Sequence, residues 1–232
     1  MSEMKRTLIN QIVKGAPLVP LCLVVFSLVS CSNDDEDDSS SVSTADDGYE
    51  VSGKINGYYY VDLGLSVKWA TCNIGAESPE DYGNYYAWGE TETKDSYTRS
   101  NSVTYGVEMD NIAGNAEYDA ATANWGSKWR MPTYDEMSEL VDNCTWTWTT
   151  KNDVNGYLVT GSNGNSIFLP AAGYRDGTLL NVAGSDSYYW SSTPYSSGTY
   201  RAYFLGFLGS GRHFVSSYYR CNGHTVRPVL DF

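Results

Sequence analysis

The side chains able to do covalent chemistry are few and poorly placed for it. There are two histidines, His213 and His224, both near the C-terminal end. A serine hydrolase needs a nucleophile on a strained strand-to-helix elbow with a base beside it, and no G-x-S-x-G occurs. A phosphate loop or dinucleotide fingerprint is missing too, because Gly209-Ser210-Gly211 runs into Arg212-His213-Phe214 without a third glycine. Asp135, Glu136 and Glu139 fall at the start of an expected helix, where acidic residues suit the macrodipole, so they read as structural rather than as an acid/base pair. Asp153-Val154-Asn155-Gly156 lacks the further ligands and distal Glu of a calcium loop and reads as a hairpin turn. With no C-x-x-C and no Cys/His cluster, neither a metal nor another cofactor is expected, nor is an enzyme.

Recognition chemistry is better supplied. The stretch from Tyr188 to His224 carries Tyr188, Tyr189, Tyr195, Tyr200, Tyr203, Tyr218 and Tyr219 among Ser, Gly, Arg212, Arg220 and Asn222. Tyrosine gives large amphipathic contact area at low entropic cost, arginine adds directed donors, and Ser, Gly and Asn adapt, which is the composition of a binding surface. The whole chain holds 20 Tyr against 6 Phe and a formal charge of −13. That charge excludes generic nucleic-acid binding. Yet residues 188–232 carry Arg201, Arg212, Arg220 and Arg227 against Asp231 alone, so this part of an acidic chain is basic.

These residues need a compartment and a scaffold. Lys5, Arg6 and Lys14 precede a 14-residue apolar stretch, Ala16 to Val29. A spanning helix needs about 20 apolar residues, so residues 1–30 read as a signal peptide. The segment ends Leu28-Val29-Ser30-Cys31, which resembles the bacterial lipobox, so Cys31 is expected to be acylated and to anchor the chain in a membrane. Residues 32–50 hold eight acidic and no basic side chains, and residues 31–50 are expected to be a disordered acidic and serine-rich tether. Acidic residues just behind a lipidated Cys resemble the surface-export signal of Bacteroidetes-like lipoproteins, which implies the outer membrane and the cell exterior. Outside the leader and Cys31 stand Cys72, Cys144 and Cys221, an odd number that allows one disulfide and a thiol, or three small buried residues.

Residues 51–232 are expected to form one α+β domain. Strands are predicted at Tyr58–Val61, Val67–Cys72, Thr145–Thr150, Tyr157–Thr160, Ser166–Leu169, Tyr188–Ser192, Tyr200–Phe207, His213–Arg220 and Thr225–Val229, with turns at Asn155-Gly156 and Asn163-Gly164. Thr133 followed by Glu136, with Met137, Leu140 and Val141 at helical spacing, predicts a capped helix. A shorter helix is predicted from about Asp119 to Trp125, and residues 74–115 read as long, partly packed loops.

Several blocks carry a family resemblance: Tyr60-Val61-Asp62-Leu63-Gly64-Leu65, Lys68-Trp69-Ala70-Thr71-Cys72-Asn73, Tyr86-Ala87-Trp88-Gly89-Glu90, Trp129-Arg130-Met131-Pro132-Thr133, Phe168-Leu169-Pro170-Ala171-Ala172-Gly173-Tyr174-Arg175, Tyr189-Trp190-Ser191-Ser192 and Val226-Arg227-Pro228-Val229. In this order, from about residue 55 to 232, they resemble the Fibrobacter succinogenes major paralogous domain family. The resemblance implies a C-type-lectin-like fold related to the formylglycine-generating enzyme, some of whose relatives are diversified in the C-terminal segment by retroelements. Catalysis in that fold uses a pair of C-terminal cysteines to bind copper, whereas Cys221 stands alone here. The Glu-Pro-Asn and Gln-Pro-Asp tripeptides of calcium-dependent lectins are also missing.

The expected function is therefore binding of an extracellular protein or glycan. The alternatives are a structural envelope or appendage-tip component and, behind it, a metal-dependent modifying enzyme. Strict alternation turns Leu205 and Phe207 inward and Phe204, Gly206 and Leu208 outward, with Tyr203 on the inward parity unless a bulge intervenes. The resemblance treats Ala202, Leu205 and Phe207 as scaffold and so implies that bulge. The binding face expected on this basis comprises Tyr203, Phe204, Leu208, Arg212, His213, Tyr218, Tyr219, Asn222 and His224, with Trp190 and Arg227 as scaffold.

Overall fold

In the computed structural model the helix expected after Pro132 forms where its cap dictates. Thr133 accepts from the Glu136 amide at 3.3 Å, and the Glu136 carboxylate accepts from the Thr133 amide at 2.8 Å, starting α-helix Tyr134–Asn143. Arg130 grips the same carboxylate with two bonds of 2.8 and 2.6 Å and reaches Asp231 at 2.5 Å, so the helix start is tied to the end of the chain. Against the desolvation that burial imposes, the bonds from Arg130 and Thr133 hold Glu136 below the usual carboxylate range. The shorter helix, Ala120–Trp125, is capped by Asp119, whose carboxylate accepts from the amides of Gly114, Ala121, Thr122 and Met131.

The structure describes residues 43–44, 50–209 and 211–231. The expected signal peptide, Cys31 and most of the expected tether lie outside the described residues. In chain order the strands are β1 (Ser43–Thr44), β2 (Glu50–Val51), β3 (Gly53–Ile55), β4 (Tyr58–Val61), β5 (Lys68–Ala70), β6 (Thr145–Lys151), β7 (Val154–Thr160) and β8 (Ser166–Pro170). Then come β9 (Tyr174–Asp176), β10 (Leu179–Asn181), β11 (Asp186–Pro194), β12 (Arg201–Leu208), β13 (Arg212–Tyr219) and β14 (Val229–Leu230). The helices, here α1 and α2 in the order of the chain, sit between β5 and β6. All the named strands pair antiparallel in small sheets, ordered β14-β5-β4-β3, β6-β7-β8 and β11-β12-β13, with two-stranded pairs β1-β2 and β9-β10. This is an α+β composition. The β1-β2 pair reaches into the segment expected as tether.

Two apolar cores flank the β11-β12-β13 sheet. Tyr189, Leu205 and Phe207 belong to one, with Met137 and Leu140 of α2. Trp190, Ala202 and Phe204 belong to the other, with Trp88, Trp125 and Trp129. The middle strand β12 is therefore buried on both faces, as a near-continuous apolar run is when it has no solvated side. This corrects two expectations. Phe204 and Gly206 do not face outward, because a second core covers the side assigned to solvent. Nor does β12 bulge: its register against β13 is unbroken from Arg201↔Tyr219 to Leu208↔Arg212, and the irregularity lies on β11 between Trp190 and Pro194.

One turn is also relocated. The β6-β7 hairpin turns through Asn152 (φ 45°) and Asp153 (φ 64°), with Lys151 opposite Val154, so Asn155-Gly156 lies inside β7. Gly156 is there because β8 passes too close for a side chain: a Cβ would sit 2.3 Å from the Leu169 carbonyl oxygen. The β9-β10 hairpin was not expected, and the C-terminal strand is shorter than expected, Thr225 making only a bridge to Tyr189.

Residues 74–115 are packed loop, with a 3-10 turn at Arg99–Asn101. Trp88 and Trp190 are fully buried, and their indole N–H groups donate to the carbonyls of Ser191 and Tyr86, both at 2.8 Å. Arg227 is buried as well, its guanidinium bonded to Asn73 and to the carbonyls of Ala70, Thr71 and Phe168. Trp190 and Arg227 are scaffold, as expected. No disulfide joins Cys72, Cys144 and Cys221.

Candidate functional site

At one end of the β12-β13 ladder the chain builds an open cavity of about 610 Å³. Its lining is Arg99 from the 3-10 turn, Tyr105 from the following loop, Tyr195, Ser197, Gly198 and Tyr200 from the β11-β12 connection, Arg201 at the start of β12 and Tyr219 at the end of β13. The Tyr105 ring lies 4.9 Å from Tyr200 and 6.4 Å from Tyr219, tilted by 53° and 47°, so the rings make a curved wall and not a parallel slot. Both guanidinium groups sit over Tyr219, Arg99 at 5.2 Å and Arg201 at 4.8 Å from the ring centre. The lining holds no carboxylate, and neither arginine pairs with one among the described residues. The Arg201 guanidinium beside Tyr219 across the ladder holds its phenol below the usual tyrosine range.

These walls are joined by a residue that does not line the cavity. Arg220 is 1% exposed. Its Nε donates to the Arg201 carbonyl at 3.0 Å, and one terminal nitrogen donates to the carbonyls of Thr104 at 3.2 Å and Val107 at 2.8 Å. The guanidinium lies 4.3 Å over the Trp88 ring and meets no carboxylate among the described residues. Burial without a counter-charge pulls its pKa down to about 10. One side chain thus fastens the loop carrying Tyr105 to the strand carrying Arg201. The Gly106 amide adds a bond to the Thr199 carbonyl at 3.1 Å, and the Tyr200 ring lies across Gly106, where a Cβ would approach it to 3.1 Å.

The nine residues expected as one face are dispersed. Tyr219 lines the cavity, and Tyr203 is one ring behind it, 5.4 Å from Tyr195 and 4.5 Å from Tyr134. Leu208 and Arg212 pair at the opposite end of the ladder, seven residue steps and roughly 24 Å away along the strand. Arg212 lies exposed over Phe214. His213 stacks on Trp146 at 4.6 Å on the side of the α2 core.

Phe204, Asn222 and His224 are buried, and with them the expectation that they face a ligand is overturned. Asn222 donates to the Arg175 carbonyl at 3.3 Å. His224 stacks on Trp190 at 3.7 Å inside a ring of Tyr174, Tyr188, Phe204 and Tyr218, and neither of its nitrogens finds a hydrogen-bond partner among the described residues. Half-buried Tyr218 forms the edge of that cluster. The sequence reading missed Arg99 and Tyr105 because they lie about 90 residues before the rest of the lining and bear no spacing relation to it. Tyr195, Tyr200 and Arg201 lie in the stretch singled out by composition, just before the Ala202–Leu208 run to which alternation applies.

The model of a domain of unknown function (DUF8237) matches residues 138–229. The match includes the cavity lining from Tyr195 to Tyr219 and omits Arg99 and Tyr105. No curated protein and no solved structure matches the chain. Among the described residues, no group of three or more His, Cys, Asp or Glu side chains gathers to hold a metal ion.

Proposed function

We propose that this chain is a lipid-anchored, surface-exposed outer-membrane protein whose C-type-lectin-like domain binds an extracellular ligand in the cavity between Arg99, Tyr105, Tyr200, Arg201 and Tyr219. One observation carries the reading. Segments remote in sequence converge on an open, concave site with three tilted aromatic rings and two arginines that pair with no carboxylate among the described residues. Arginine and tyrosine at such a site are the side chains that dominate binding energy at interfaces. The small antiparallel sheets, two short helices and long packed loops support the fold assignment, and the resemblance of residues 55–232 to the major paralogous domain family supports it further. The lipobox-like Leu28-Val29-Ser30-Cys31 and the acidic run behind it support the anchor and its exposure.

Two measurements test the reading. Cys31→Ala should release the chain from the membrane fraction, and retention there would refute the anchor. For the cavity, the full chain in detergent is applied to glycan and peptide arrays. Hits should be lost in Tyr200→Ala and Arg201→Gln and kept in Arg212→Gln at the far end of the ladder. The reverse pattern would move the site to the other end.

A further inference from the structure

We infer that the ligand of this cavity is an anionic saccharide, a sugar chain bearing carboxylate or sulfate groups, recognised without calcium. The inference rests on the cavity being the binding site and adds what it binds. Two guanidinium groups lie over the Tyr219 ring, 5.2 and 4.8 Å from its centre, and no acid in the lining offsets them. An unneutralised pair of cations is a standing attraction for a ligand anion, and the planar fork of arginine matches a carboxylate or sulfate oxygen pair. The domain as a whole has the opposite sign, with 12 basic against 19 acidic side chains in residues 51–232, Arg99 and Arg201 included. The positive charge is therefore local to the site.

The shape of the wall separates the ligand classes. A nucleobase or other flat ring is best held between parallel aromatics, whereas Tyr105 is tilted by 53° against Tyr200 and by 47° against Tyr219. A peptide anchor needs an apolar slot, yet no Leu, Ile, Val, Met or Phe lines the cavity. What the lining offers is aromatic faces that end in hydroxyl groups, together with Ser197 and Gly198. Such a surface suits a puckered, polyhydroxylated ring, whose C–H faces rest on tyrosines while its oxygens bond to hydroxyls and guanidiniums. The volume of about 610 Å³ falls within the range of roughly 300–1,000 Å³ usual for compact ligands, and the open mouth leaves a longer chain free to continue into solvent.

The test titrates the full chain with four probes at low salt: tetragalacturonate, a sulfated heparin-derived tetrasaccharide, neutral maltotetraose and a poly-Glu peptide. The two acidic saccharides separate carboxylate from sulfate as the source of charge. At least one of them should bind at least tenfold more tightly than maltotetraose. Arg99→Gln with Arg201→Gln should erase that preference, and Tyr200→Ala, whose parent ring is 53% exposed and carries little of the fold, should weaken binding about tenfold. Chelation of calcium should change nothing. Equal affinity for the neutral sugar, or no saccharide binding at millimolar concentration, overturns the inference. Binding of the poly-Glu peptide alone, lost in the same variants, overturns it while keeping the cavity as the site. Binding of any probe that survives all three substitutions overturns the cavity reading itself.

Discussion

Replacing Arg220 by Met tests whether one buried guanidinium holds the cavity together. The substitution removes three hydrogen bonds, to Arg201, Thr104 and Val107, at nearly constant side-chain length. Hydrogen bonds to a charged group contribute about 1.5–3 kcal/mol each, and three would give an upper figure of about 9 kcal/mol. That sum is too large, because the folded state already bears the cost of a guanidinium buried without a counter-charge, and methionine relieves it. Loss of one partner from a buried charged network costs about 3–5 kcal/mol, which is the expected destabilisation. For a domain of this size it corresponds to a melting temperature lower by roughly 10–15 °C.

Local effects should exceed the global one. The amides of Gly106 and Val107, whose acceptors are Thr199 and Thr104, should lose hydrogen-exchange protection before those of α2 do. Arg220→Lys should recover less than half of the loss, since a point charge cannot span three carbonyls at once. A melting temperature within about 2 °C of the parent, with exchange at residues 104–107 unchanged, would refute the clamp.

His224 is buried and His213 half-buried, and desolvation lowers the pKa of both below the usual value, that of His224 well below it. The unfolded chain takes up these protons near pH 6.5 and the folded chain does not, so stability is full above that pH and falls as pH drops below it. His224→Phe should remove about one proton, or about 1.4 kcal/mol per pH unit, from the slope of stability between pH 6 and 4.5; an unchanged slope would exonerate His224. Asp119→Ala removes a helix cap and leaves the amides of Gly114 and Met131 unpaired, and chemical denaturation should show a loss of about 3 kcal/mol. Gly156→Ala should cost about 2 kcal/mol by pushing β7 from β8, whereas Gly164→Ala, at a turn with open space around it but a φ of 90°, should cost about 1 kcal/mol. The reversed order in paired melts would contradict the close approach at Gly156.

Local features of this fold were legible wherever the physics was local. Thr133 with Glu136 and Asp119 before an apolar run specify their helices through bonds made within one turn. Asn155-Gly156 misled because the same dipeptide answers two demands, a positive φ at a turn and a backbone too crowded for a Cβ, and only the neighbouring strand decides which. Parity along β12 misled for a related reason. Alternation identifies two faces and is silent on whether the second one meets water. Composition singled out the stretch from Tyr188 to His224, which contains Tyr195, Tyr200, Arg201 and Tyr219 of the cavity lining. Their partners Arg99 and Tyr105 arrive through a loop whose course is set by tertiary packing around Trp88 and Arg220.

The doubly covered β12 strand also says where new specificities can be written. Substitutions from Phe204 to Phe207 act on two cores at once, so a library there would mostly sample misfolded chains. Positions 195, 197, 198, 200, 201 and 219 line a cavity on a framework whose rigidity comes from elsewhere, chiefly from Arg220 and Trp88. Randomising those six codons, with Arg220 untouched, would turn the domain into a display scaffold whose repertoire is carried by one rim.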